Sequence, residues 1–401
     1  MLNDKQLLEK RKHADPIADQ AIAAIMEQGN SESIAELFNT LTQNVDVPDS
    51  LLPDIAIEYF KNTKELPAFY DQKKIDQAQA LFGTYGPEIS VILLCKSLPQ
   101  AYACAKGAKV LYHTGRFVEH DDNYSMLTKR LMETAQFVIN ILSAGSFSDK
   151  GNAIITTQKV RLIHAAIRYF INKSGHWNAE LYGEPINQED MAGTLMSFSA
   201  LVIEGLGQLG IELTEEEQEA YSHIWQVVGH IIGLDEDLIP PNAAEGLKLG
   251  YAIFDQQLEG SKEGVALTQS AIGFMEHVTP GNLFDSVPSA LVYHFLGEKV
   301  ATAVGVPAPD SFITHTVPFL MERFFGAYDK LEDNSAMLRK ITQKFNRAML
   351  KGLLTYFNKG KRVAFNIPPS LQEDWKLAET WDNVWSSKSV LGVRVSVQKT
   401  V

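Results

Sequence analysis

Apolar residues recur at helical spacing along most of this chain. The clearest case is residues 159–170, Lys-Val-Arg-Leu-Ile-His-Ala-Ala-Ile-Arg-Tyr-Phe, which contain neither Gly nor Pro. At about 100° per residue, Val160, Ile163, Ile167, Phe170 and Ile171 fall on one stripe. His164 falls at its edge, and Arg161 and Arg168 lie together just beyond it. The imidazole can therefore enter a core beside Val160 and Ile171. Ala165 and Ala166 keep the helix slim where something bulky approaches. A buried histidine needs partners for its ring nitrogens. Two kinds fit: a backbone carbonyl, in a packed core residue, or a metal or haem iron, for which neutral imidazole is a common ligand. The pattern alone leaves both open.

A second stripe runs through residues 125–142, where Leu127, Leu131, Val138 and Ile141 share a face. Thr134 sits inside that stripe and Arg130 at its edge, one turn apart and so on the same side. A buried arginine is costly without an acceptor. It either pairs with a core carboxylate or helix carbonyls, or aims into a polar site shared with His164. No acid close in sequence shares its face, Glu133 being about 60° away.

Elsewhere the pattern predicts a polar helical arm over 1–30 and short amphipathic helices over 32–43 and 71–82, with Pro48, Pro53 and Pro67 between them. Gly83 to Pro87 reads as a turn, followed from about Glu88 by a helix apolar on most faces, with a break or kink at Pro99. Asn187 and Asp190 resemble a capping box for a nearly all-apolar helix to Leu209, in which Glu204 is the odd charge. Thr214 with Glu217 caps the next helix. Its stripe is Tyr221, Ile224, Trp225, Val228 and Ile232, with His223 and His230 on the other side. His230 is the second-choice ligand. Further helices are expected over 244–259, 262–277, 285–304, 311–328 and 334–358. The only strand-like alternation is Val393 to Val397. The sum is an all-α protein.

Composition narrows the function. The 401 residues carry a net charge of −13, against the basic face that nucleic acid or an anionic membrane requires. Two cysteines, Cys95 and Cys104, match no zinc or haem-attachment spacing and read as thiols in a reducing compartment. No run approaches the length of a membrane span, and the charged start has no secretory h-region. A cytoplasmic location is expected.

Several segments together resemble the haem-dependent oxygenase family of bacterial latex-clearing (rubber oxygenase) proteins and fungal MpaB oxygenases. They are FGTYGPEI (82–89), LTKRLMETAQFV (127–138), TTQKVRLIHAAIR (156–168), PINQEDMAGTLMSFS (185–199), WQVVGHIIG (225–233) and YHFLGEKVATAVGVP (293–307). The resemblance covers about residues 75 to 310. It implies a globin-like helical bundle around a buried haem pocket, with haem b as cofactor, His164 as the axial iron ligand, and Arg130 and Thr134 lining the distal side. It also implies O₂ and a small apolar substrate, attacked at a carbon–carbon double bond. The organisation expected is a helical extension over 1–70, a haem catalytic domain over 71–310, and C-terminal helices and tail over 311–401 packed on the same domain.

Two positions depart from the rubber-cleaving members. Their distal lysine is replaced by Glu133. Where they have an upstream glutamate resembling a base, this chain has the Thr114-Gly115-Arg116 turn, with Glu119 nearby. The expected substrate is therefore a soluble prenyl chain, polyene or unsaturated lipid rather than rubber. The rival expectation is a helical haem or lipid carrier without turnover.

Overall fold

The computed structural model describes residues 2–28, 53–113, 125–279, 285–308, 339 and 341–350, without side chains at 112–113 and 125–129. Helices account for nearly all of the ordered elements: α1 (Asp4–Lys10), α2 (Pro16–Gln28), α3 (Asp54–Asn62), α4 (Gln72–Ile92), α5 (Leu98–Tyr102), α6 (Ala105–His113), α7 (Ser125–Leu142), α8 (Ala153–Lys173), α9 (Ala179–Tyr182), α10 (Gln188–Phe198), α11 (Ala200–Gln208), α12 (Glu215–Ile231), α13 (Ala243–Gln257), α14 (Lys262–Val278) and α15 (Val287–Ala303). Residues 341–350 are also helical. The described residues contain no strand, only an isolated bridge between Cys104 and Glu259. The all-α expectation holds.

Local chemistry sets several boundaries. Thr214 and Glu217 form the expected capping box on α12. At α10 half of the box is present: Asn187 accepts from the Asp190 N–H, while the Asp190 carboxylate accepts from the Asn187 side-chain amide at 2.7 Å. Satisfying the first N–H groups of a helix in this way fixes where it starts.

Three expectations about helix continuity need correction. Gly83–Pro87 is not a turn: α4 runs through it with Pro87 inside. Phe82, Gly86, Ile89 and Ile92 are buried there, and tertiary burial outweighs the poor intrinsic propensity of Gly and Pro. The expected helix to Leu209 is two helices, broken at Ser199. The Ser97 hydroxyl donates to the Ser197 carbonyl at 2.6 Å, and the Tyr221 hydroxyl to that of Phe198 at 3.2 Å. Carbonyls engaged from the side no longer require the helix to continue. Within α15, Gly297 has φ +70° and joins two helical pieces at a kink, a conformation that glycine adopts without steric cost. The disturbance expected at Pro99 is present as a π-helical turn, Leu93–Ser97, just before α5.

Two apolar clusters hold the bundle. The larger joins α4, α7 and α10 to α15 with the 341–350 helix, and takes Leu7 from α1. The smaller packs Ala18, Ile22 and Ile25 of α2 with Ala56 and Tyr59 of α3 against Leu162, Ala165 and Ala166 of α8. The bulky neighbour expected beside Ala165 and Ala166 is thus the N-terminal arm. Asp15 and Asp19 of that arm also pair with Arg161 (2.6 Å) and Arg168 (2.8 Å) on the same side of α8.

Candidate functional site

With its back covered by the arm, α8 turns its apolar stripe to an internal cavity of about 410 Å³. Val160, Ile163, His164 and Ile167 all line it and are only partly buried, while Leu162, Ala165 and Ala166 behind them are almost wholly buried. Phe170, at the far end of the stripe, is 51% exposed. The periodicity therefore located a cavity wall rather than a packed core. Such a cavity falls in the range of small-molecule and cofactor sites, which are mostly apolar with a few placed polar groups.

Helix α7 supplies the facing wall. Arg130 and Thr134 line the same cavity as His164, so the structure brings the three sequence-selected residues together. Asn140 of α7 donates to Thr156 of α8 at 3.1 Å and ties the two walls together. One wall is aromatic: Phe198 stacks on Trp225 with ring centroids 5.1 Å apart, and Phe137 lies 6.3 Å from each. Met349 and Leu350 contribute from the 341–350 helix.

His164 has the most unusual environment. Its Nδ1 is buried with no hydrogen-bond partner among the described residues. The ring lines the cavity and is partly buried, with Nδ1 itself inaccessible. Burial, with the nearby Arg168 and Arg130 cations, pushes its pKa down to about 3. The imidazole is therefore neutral at physiological pH, with a lone pair available.

Arg130 is not without a local acid, contrary to the helical-wheel expectation. Its Nη1 lies 3.3 Å from Glu133 Oε2, and both side chains are mostly buried. A 60° offset at i,i+3 is ordinary reach for two long side chains. The Thr134 hydroxyl donates to the Arg130 carbonyl at 3.1 Å, as hydroxyls inside helices often do.

Lys159, Asp190 and Tyr102, which were not selected from sequence for the site, also reach the cavity, as does Glu133, the residue in place of the distal lysine. The Asp190 carboxylate is held by Arg11 at 2.7 Å and by Asn187. Burial pushes the Tyr102 phenol well above its ordinary range. Of these only Glu133 was pointed to, by the resemblance that sets it where the rubber-cleaving members have a lysine.

His230 is not among the cavity-lining residues; its ring lies 6.5 Å from that of Phe69. Nearby His223 accepts from the Asp71 N–H at 3.0 Å. Glu119, the Thr114–Arg116 turn and Leu127's side chain lie outside the described residues. Among the described residues no three His, Cys, Asp or Glu side chains cluster to hold a bare metal ion. A single neutral histidine in an apolar cavity does fit a metal whose other ligands come from an organic ring.

The comparisons agree with this architecture. The chain is 24% identical over 359 residues to a rubber oxygenase of Streptomyces sp. (strain K30), covering 88% of this chain and 85% of that protein. Its fold matches the closed state of the latex clearing protein LCP with a TM-score of 0.69 at 23% identity, over 90% of this chain and 95% of the other. The family model "ER-bound oxygenase mpaB/B'/Rubber oxygenase, catalytic domain" matches residues 91–328, more than half of the chain. Its stripes, its cavity and that match place the chain in the MpaB/rubber oxygenase family of oxygenases.

Proposed function

We propose that this protein is a haem b-dependent oxygenase acting with O₂ on a carbon–carbon double bond of an apolar molecule. One observation carries the reading: His164 presents a neutral imidazole, with a buried ring nitrogen that lacks a partner, to an apolar cavity. His164 would hold the iron, and Lys159 would supply a cation for the carboxylates that haem b carries. When bound, haem b supplies the iron that activates O₂.

The chain's own residues do the rest. The Phe137, Phe198 and Trp225 wall excludes water and gives an unsaturated chain a surface to lie against. In that dry wall Arg130 is a fixed donor, and such a donor stabilises negative charge developing on oxygen far more than it would in water. The Thr134 hydroxyl uses its proton on the helix backbone. It therefore faces the cavity as an acceptor, able to hold the proton of a water or a substrate hydroxyl.

Residues 1–70, 71–310 and 311–401 are proposed to work as one unit. Leu7 packing in the main core and Met349 lining the cavity support this. Among the described residues no helix is long and apolar enough to cross a membrane, and Cys95 and Cys104 are free thiols. The free thiols support a reducing compartment.

The engagement of Arg130 by Glu133 and of Thr134 by its own backbone favours, as second reading, a haem or lipid carrier. Oxygen uptake separates the two. Haem-loaded protein should consume O₂ with soluble prenyl or unsaturated lipids, form carbonyl products, and lose this activity in Arg130→Ala. Efficient cleavage of polyisoprene latex would overturn the soluble-substrate assignment. No turnover with either, despite bound haem, would favour the carrier.

A further inference from the structure

Helix α13 gives the cavity Ile253, Phe254 and Gln257 from its last turns. Gln257 is only 5% exposed, and neither the oxygen nor the nitrogen of its side-chain amide has a hydrogen-bond partner among the described residues. The chain just beyond it is pinned: the Leu258 N–H donates to the Phe254 carbonyl at 2.8 Å and the Glu259 N–H to the Ala103 carbonyl at 3.0 Å. Polar groups of α10 that share the lining are engaged within the chain. The Thr194 hydroxyl donates to the Asp190 carbonyl at 2.7 Å and the Ser197 hydroxyl to the Gly193 carbonyl at 3.0 Å. The Asp190 carboxylate accepts from Arg11 and Asn187. Gln257 is left over, and a buried amide without partners is costly. The Glu189 carboxyl feels this amide, which favours its ionised form. That interaction sets the sense of the amide, whose two ends are otherwise alike in shape. Its N–H side faces the acid, because a carboxylate only accepts, and its oxygen is the atom left in need of a donor.

We propose that Gln257 is a specificity-determining residue: its side-chain oxygen accepts a hydrogen bond from a ligand hydroxyl, so the cavity selects apolar chains that carry an alcohol. The inference rests on the reading of this cavity as the substrate site. It deepens that reading by narrowing the apolar, unsaturated molecule to an unsaturated alcohol. An ether, ester, aldehyde or hydrocarbon has no O–H to give and leaves the Gln257 oxygen buried without a partner. Sites built to bond a hydroxyl reject analogues that lack it for this reason.

The test compares 1-decanol with its isomer 1-methoxynonane, which keeps the oxygen but not the O–H. Binding is read by tryptophan fluorescence and equilibrium dialysis on the full-length protein, with and without added haem. Wild type should bind decanol about tenfold or more tightly than the ether. Gln257→Met, close in volume but without the amide, should lose most of that preference through weaker decanol binding. Gln100→Met, at another buried glutamine of the lining, should keep it. Equal or reversed wild-type preference would overturn the proposal without any variant. An unchanged decanol-to-ether ratio in Gln257→Met that is folded by circular dichroism would overturn it too, the need of the amide then being met by water. Loss of the preference in Gln100→Met but not in Gln257→Met would do the same. The readout does not need bound haem. Failure to bind haem would count against the oxygenase reading alone, and absence of the alcohol preference against Gln257 alone.

Discussion

Asp15→Ala should be among the most destabilising single changes in this chain, although Asp15 lies in the N-terminal arm and does not line the cavity. The Asp15 carboxylate takes two hydrogen bonds from Arg161, at 2.6 and 2.8 Å, with both side chains under 10% exposed. Arg161 keeps the Ile231 carbonyl at 3.1 Å, which leaves a buried guanidinium with only the more distant Asp19 as counter-charge. Removing one member of a buried pair costs about 3–5 kcal/mol. Asp15 also accepts from the Ala18 N–H at 3.4 Å at the start of α2, and losing a cap costs about 1 kcal/mol. A total of about 4 kcal/mol is expected, because the two losses overlap. Urea denaturation, with circular dichroism and fluorescence transitions that coincide, measures it. Arg161→Leu leaves the cap intact, so the double variant separates the effects: it should be clearly less destabilised than the two single changes added together. A loss under about 1 kcal/mol for Asp15→Ala, or strict additivity, would refute the view that the ion pair clamps the back of α8. The sister pair, Asp19 with Arg168, has a carboxylate 31% exposed, and Asp19→Ala should cost less because water screens it.

Three more perturbations probe the scaffold. Gly264→Ala would place a Cβ 2.2 Å from the Tyr102 carbonyl. Because backbone must move, a loss of about 1–3 kcal/mol is expected in the same denaturation assay, and a neutral effect would contradict the packing of α14 on α5. Lys96 is buried in the π-helical turn and pairs with Glu204 at 2.9 Å. Glu204→Ala should therefore lower stability by about 3 kcal/mol, while Lys96→Met should be much milder, since it leaves no buried cation; equal losses would contradict this. Burial holds the Glu189 carboxyl above the ordinary glutamate range against the opposing pull of Arg11. The folded chain then keeps that proton to higher pH than the unfolded chain, so the contribution is full below about pH 4.5 and declines as pH rises through the folded value. The stability difference, wild type minus Glu189→Gln, should fall as pH rises above that point, and a flat or rising difference would contradict the assignment.

The helices, and the cavity face of two of them, were legible because a 3.6-residue period survives in the sequence. Val160, Ile163 and Ile167 marked one wall and Leu131 and Val138 the neighbourhood of the other. What the pattern could not express is which apolar face meets another helix and which meets empty space. The alanines of α8 suggested room for a bulky neighbour but not that α2 fills it. Continuity across Pro87 was hidden because burial from distant segments, not local propensity, holds α4 together. The break at Ser199 was hidden because its cause lies in hydroxyls from Ser97 and Tyr221, far away in the chain. Glu133 was singled out at the distal-lysine position, but its pairing with Arg130 was discounted on an ideal helical wheel, which ignores the reach of flexible side chains.

The central claim is that His164 holds a haem iron, and the absorption spectrum of purified, haem-supplied protein tests it most directly. Wild type should show a Soret band with about one iron per chain, as a single axial histidine implies. His164→Ala should lose most of that band while keeping its helical circular dichroism, and His230→Ala should retain it. Full haem retention in folded His164→Ala, or its loss in His230→Ala instead, would contradict the account.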